Sequence, residues 1–153
     1  MEKAPDFDLE AAHKFFAGHC FNRAWDLIDK TDRTVEEDRM MALLNQASLL
    51  HWSQRRDSDN TSRSIGHWQA SRIQSLLGNA SEARRCAEVC LEHSRELEPF
   101  YLGYAYEALA RAAKLAGADE QFREYFYKAA EQAKSTPSKE DRALLENDLA
   151  NMK

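Results

Sequence analysis

Helix breakers are scarce in this chain, with three prolines and five glycines in 153 residues. That scarcity, beside abundant Ala, Leu, Glu and Arg, argues for long helices and against a turn-rich sheet fold. Runs of alternating β-branched residues, the mark of strands, are missing too. No apolar stretch is long enough to span a bilayer, and residues 1–8 show no basic segment leading into an apolar run. The expectation is a cytoplasmic protein with no membrane partner. Cysteine is sparse and odd in number (Cys20, Cys86, Cys90), which suits thiols in a reducing compartment better than a disulfide framework. Without a secretory signal, the glycosylation-like Asn60-Thr-Ser and Asn79-Ala-Ser read as chance matches. Positive charge is not in excess either: the formal net charge of −5 argues against a general nucleic-acid binder. There is no phosphate-binding glycine loop, serine nucleophile elbow or His-Glu-x-x-His motif. No catalytic residue is assigned, and the chain reads as a non-enzyme.

What is present is helical periodicity along the whole length. The expected helices are 8–17, 21–30, 35–55, 62–77, 80–97, 100–116, 119–134 and 138–151, in one domain spanning 1–153. Asp8 caps the first and Gly18 ends it. Thr34-Val-Glu-Glu37 is a capping box for the third. From Met40 to Trp52 that helix is apolar on nearly every face, which predicts a central helix covered on several sides. Residues 54–62, QRRDSDNTS, form a polar loop. Ser138 caps a closing helix with Leu144, Leu145, Leu149 and Met152 in one apolar strip.

The stretch from Ser64 to Leu91 reads as two antiparallel helices meeting at Leu77-Gly78-Asn79. Gly78 suits the left-handed residue that ends a helix, and Asn79 or Ser81 can cap the next. Ala83, Ala87 and Cys90 make a stripe of small side chains that lets a neighbouring helix come close. A second copy follows, with an Ala- and Tyr-rich helix from Tyr101, a break at Gly117 and a helix from Asp119. LGNASEARRCAEVCL and AGADEQFREYFYKAA each resemble the second half of a tetratricopeptide repeat. Gly78, Ala83 and Cys90 match the turn glycine and the small packing positions; Gly117, Phe126 and Ala129 match the turn, the aromatic and the later small position. Tyr106 and Leu109 fit the family's first-helix aromatic and leucine. Departures are Phe122 for an alanine, Ala110 and Ala113 for a glycine and a tyrosine, and His67 at an aromatic position with Trp68 one place late. The two turns also lie further apart than the family's period of about 34 residues. The resemblance implies an all-α fold: a short right-handed stack of antiparallel hairpins (64–97 and 100–134) closed by a capping helix at 138–151. It further implies a protein- or peptide-binding adaptor or regulatory module. The groove would be lined by the first helix of each hairpin, through Trp68, Arg72 and Ser75, then Tyr104, Glu107, Arg111 and Lys114. Arg111 and Lys114 would suit an acidic peptide or a terminal carboxylate, and Arg72 could lie across the Trp68 ring.

Other constellations compete with that reading. The pairs His51-Trp52 and His67-Trp68 sit on consecutive helices and would line a small-ligand or enzyme pocket if they converge; the structural alternative buries the tryptophans. Tyr101, Tyr104 and Tyr106 offer a surface for self-association into a homodimer. Cys86, Cys90 and His93 follow at i, i+4 and i+7, a potential metal face that needs a fourth ligand such as Cys20, His19 or His13. Cysteines at small packing positions are the simpler explanation, and no metal or cofactor is assigned. Glu10-Ala-Ala-His13 has the spacing of half a di-iron motif and lacks its second half.

Overall fold

The computed structural model describes residues 2–152, and among them every regular element is a helix. There are seven: α1 (Leu9–Asp29), α2 (Val35–Ser53), α3 (Asn60–Leu76), α4 (Ala80–Ser94), α5 (Pro99–Leu115), α6 (Asp119–Ser135) and α7 (Lys139–Ala150). They gather into two compact units, the first ending at Asp59 and the second beginning at Asn60. The division falls in the polar stretch that the sequence marks as a loop.

The first unit is a two-helix hairpin. Asp8 caps α1 by accepting from the Ala11 amide, and the Thr34–Glu37 capping box starts α2. The two short helices expected here are one continuous helix of 21 residues that runs through Gly18. Glycine costs a helix interior only about 1 kcal/mol, so it ends a helix where the chain turns left-handed, and Gly18 does not have positive φ. Ala17, Cys20, Ala24 and Ile28 form the buried stripe of α1, and Met41, Leu44, Asn45 and Ser48 that of α2. Ser48 Oγ donates to the Ala17 carbonyl at 2.8 Å, satisfying a buried hydroxyl across the hairpin. The expectation that α2 is covered on several sides fails: Met40, Leu43 and Leu50 are exposed. Periodicity marks a helix as apolar all round, but whether each face finds a neighbour is a tertiary matter.

The second unit contains two hairpins and a closing helix. Gly78 and Gly117 are the described residues with positive φ, at 79° and 71°. Each turn carries the same pair of bonds. The Gly78 amide reaches Ser75 O and the Asn79 amide reaches Gln74 O; the Gly117 amide reaches Lys114 O and the Ala118 amide reaches Ala113 O. This is the Schellman termination that a left-handed glycine permits, repeated in both hairpins. Asn79 precedes α4 but gives it no side-chain cap; its amide binds Gln74 Oε1 instead.

The small-residue stripe behaves as its spacing predicts, with Ala83, Ala87 and Cys90 all fully buried. Opposite them α3 contributes Ser64 and Ser71, so the helices meet through short side chains on both sides. Hydroxyls and a thiol bond across this contact: Ser64 Oγ to Ser94 Oγ at 2.7 Å, Ser71 Oγ to Ala83 O at 2.8 Å, and Cys90 Sγ to Ser64 O at 3.3 Å. Helix α5 packs against α3, α4, α6 and α7, which makes it the centre of the unit. Its Gly103 is there for space: a β-carbon would meet Leu145 Cδ2 of α7 at 2.5 Å and Gln132 Cβ of α6 at 3.1 Å. Leu145, Leu149 and Met152 are buried, whereas Leu144 is 55% exposed and leaves the expected strip. Residues 145, 149 and 152 share one helical face, and 144 lies about 100° round from it.

Candidate functional site

The candidate site is the wall that α3 and α5 share. Trp68 points from α3 toward α5, where its Nε1 donates to Glu107 Oε2 at 2.8 Å. Arg111, one turn after Glu107, donates to Oε1 through Nε at 2.9 Å and through Nη2. Glu107 has 0% exposure, so a carboxylate sits inside the unit, held by an indole and a guanidinium. A buried charge persists only with such partners. Tyr104 packs its ring edge-on to Trp68 with centroids 5.4 Å apart, and its hydroxyl donates to Asp148 Oδ2 at 2.7 Å. Burial, followed by the Asp148 carboxylate, pushes the Tyr104 phenol well above its ordinary range, so it stays a donor.

This geometry revises several expected roles. Trp68, Tyr104, Glu107 and Arg111 come together, with Glu107 facing inward rather than into a groove. Arg111 is committed to Glu107, with its side chain 18% exposed, and is therefore not simply a solvated basic residue. Lys114 donates to the Met152 carbonyl and lies 5.8 Å from the Phe122 ring centroid. What remains open to a ligand is a shallow depression of about 390 Å³, lined by Arg72, Ser75, Leu76, Arg111, Lys114 and Leu115. Ser75 Oγ is buried and has no hydrogen-bond partner among the described residues. The lining thus brings together three cationic side chains, of which Arg111 is paired with Glu107, and two leucines. Leu76 and Leu115, as well as Asp148 behind Tyr104, were not foreseen; each follows helical spacing without any local sign of its tertiary neighbour.

The two His-Trp pairs do not act as pairs. Neighbouring residues on a helix point about 100° apart, so each histidine and tryptophan finds different company. His67 stacks on His93 of α4, with centroids 5.8 Å apart, while Trp68 turns to α5. His51 meets His13 of α1 with Nδ1 atoms 2.8 Å apart and stacks on Phe16, while Trp52 lies under the Arg55 guanidinium at 3.6 Å. Burial, helped by the facing His93, lowers the imidazole value of His67; burial and His13 do the same to His51.

Of the α5 tyrosines, Tyr104 is engaged as above, Tyr106 stacks on Tyr125 at 6.4 Å and Tyr101 packs edge-on to its neighbour Phe100 at 5.3 Å. Cys86, Cys90 and His93 diverge: Cys86 Sγ lies by Glu82, Cys90 Sγ points into α3, and His93 Nδ1 contacts Asn60 Oδ1 at 3.1 Å. Burial pushes both thiols up to about 11. Among the described residues no group of three or more His, Cys, Asp or Glu is arranged to hold a metal ion. Among the same residues no helix is long and apolar enough to cross a membrane.

No protein-family pattern, curated protein sequence or solved structure matches this chain.

Proposed function

We propose that the second unit is a tetratricopeptide-like peptide-binding module, serving an adaptor or regulatory role and taking an acidic segment along α3 and α5. The observation that carries this reading is the depression lined by Arg72, Ser75, Leu76, Arg111, Lys114 and Leu115. It lies on the first helices of two successive hairpins, where the resemblance puts the ligand. Its net charge is positive in a chain whose total is −5. Carboxylates bound there would meet charge-assisted donors, and the two leucines would cover the aliphatic parts of a peptide. The Trp68–Glu107–Arg111 network supports the wall from behind and fixes the direction of Arg111.

The test is fluorescence anisotropy with labelled acidic peptides, with free and amidated C-termini, against the wild type and Arg72→Glu/Lys114→Glu. Binding by the wild type, weakened by added salt and at least tenfold by the double variant, is the expected result. Equal binding by both proteins would remove the depression from consideration.

A further inference from the structure

The open end of the α1–α2 hairpin brings two imidazoles into contact. His13 lies near the start of α1 and His51 in the last turn of α2, and their Nδ1 atoms stand 2.8 Å apart. Both rings are part-buried, and Phe16 stacks on the His51 ring with centroids 5.4 Å apart. Glu10 precedes His13 by one helical turn. Its carboxylate reaches the same end of the hairpin, where Oε1 accepts from the Arg56 amide at 3.4 Å, a long bond that is easily given up. The histidine of Glu10-Ala-Ala-His13 thus meets its counterpart on α2 instead of in a second copy of that motif.

We propose that His13 and His51 chelate one divalent transition-metal ion of tetragonal preference, copper(II) or nickel(II), through their Nδ1 atoms, with water completing the coordination. Distance selects the class of ion. With metal–nitrogen bonds of about 2.0–2.1 Å, ligands at a right angle stand about 2.9 Å apart, and ligands at the tetrahedral angle about 3.3–3.4 Å apart. The separation of 2.8 Å fits the right angle. Nitrogen ligands in that arrangement suit copper(II) and nickel(II) rather than tetrahedral zinc. The protons balance. Facing each other, the two nitrogens share one hydrogen. Moving it to Nε2 of the same ring leaves both Nδ1 lone pairs for the ion, and neither ring loses a proton overall. A small swing of each ring about its broad χ2 turns the lone pairs from each other to a common point. Charge does not oppose the ion. Glu10 is an anion at this end, and Arg55, the cation that interacts with it, is paired with Asp57 at 2.6 Å. Both ligands sit on helices whose packing already fixes their separation, so binding orders little that was free. Two protein ligands make an exchangeable site, unlike the closed cage of a structural metal, and here the ion would clasp α1 to α2 at their open end.

Isothermal titration calorimetry of the tag-free protein with copper(II) or nickel(II) chloride at neutral pH tests this, together with the electron paramagnetic resonance spectrum of the copper(II) form. A single ion is expected to bind the wild type, with a tetragonal copper spectrum coupled to two imidazole nitrogens. His13→Gln and His51→Gln should each weaken binding at least tenfold and reduce the coupling to one nitrogen. Glutamine keeps a hydrogen-bonding side chain at either position, and the helical circular dichroism signal of each variant checks that the hairpin is intact. His19→Gln, on the exposed side of α1, and His93→Gln, which breaks the other histidine contact, should leave both readouts unchanged. A wild type that binds neither ion, a copper spectrum coupled to one nitrogen, or undiminished binding by His13→Gln or His51→Gln overturns the proposal. So does loss of binding on His19→Gln or His93→Gln.

Discussion

Replacing Arg111 by methionine should destabilise the second unit by about 2–4 kcal/mol, although a half-buried surface arginine would ordinarily be worth less than about 1 kcal/mol. The difference is Glu107. In the wild type its carboxylate is fully buried and receives the Trp68 indole at 2.8 Å and two bonds from Arg111. Methionine keeps most of the packing volume of Arg111 and leaves the carboxylate with the indole alone. Breaking one side of a fully buried ion pair costs about 3–5 kcal/mol. Arg111 is 18% exposed, so water reaches one side of the pair and the lower end applies. Urea denaturation of Arg111→Met, Glu107→Gln and the double variant measures the coupling. The double variant should be more stable than Arg111→Met alone, since a neutral amide can accept from Trp68 without needing a cation. Arg111→Glu should be worse than Arg111→Met, because it puts a second carboxylate beside the first. An Arg111→Met protein as stable as wild type, or one not improved by Glu107→Gln, would refute the reasoning.

Two glycines should respond in opposite ways. Gly18→Ala should stabilise by about 0.5–1 kcal/mol, since nothing lies within 4 Å of the added carbon and the helix gains propensity. Gly103→Val should cost about 2 kcal/mol or more through collision with Leu145 and Gln132, and thermal melts of the two variants will separate a helix position from a contact position. Stability should also fall on acidification, because His67 and His51 have lowered values. Below the unfolded imidazole value of about 6.5 the unfolded chain binds more protons than the folded one, so this contribution is complete above that pH and is lost as pH falls through the folded values. Melting temperatures from pH 7 to 5 should decline, and His67→Gln should flatten part of the slope.

Much of the fold was legible because its signals are local. The Thr34–Glu37 capping box, the caps at Asp8 and Ser138 and the left-handed glycines at 78 and 117 act within a few residues of themselves, so the chain announces them. The small stripe Ala83–Ala87–Cys90 is legible too, because only a close helix makes use of it. Gly18 shows the limit. The same residue type ends one helix and passes through another, and the choice depends on whether the chain must turn there.

The site was half legible. Helical spacing put Trp68, Arg72, Arg111 and Lys114 on helices, and they lie on α3 and α5, but their choice as a group came from the resemblance. That Glu107 turns inward to meet Trp68, 39 residues away, is written in neither residue's neighbourhood. The same holds for Tyr104 with Asp148, His13 with His51, and Gly103 under Leu145. Likewise, α2 is apolar all round by sequence, but only the packing of α1 on one side decides that Leu43 and Leu50 are left facing water. Backbone conformation and capping depend on interactions a few residues long, so the sequence by itself settled the caps and the left-handed turns, though not that α1 runs unbroken through Gly18. Which apolar face is covered, and which charge is buried, depends on chain segments that meet only after folding, so the tertiary structure decided those.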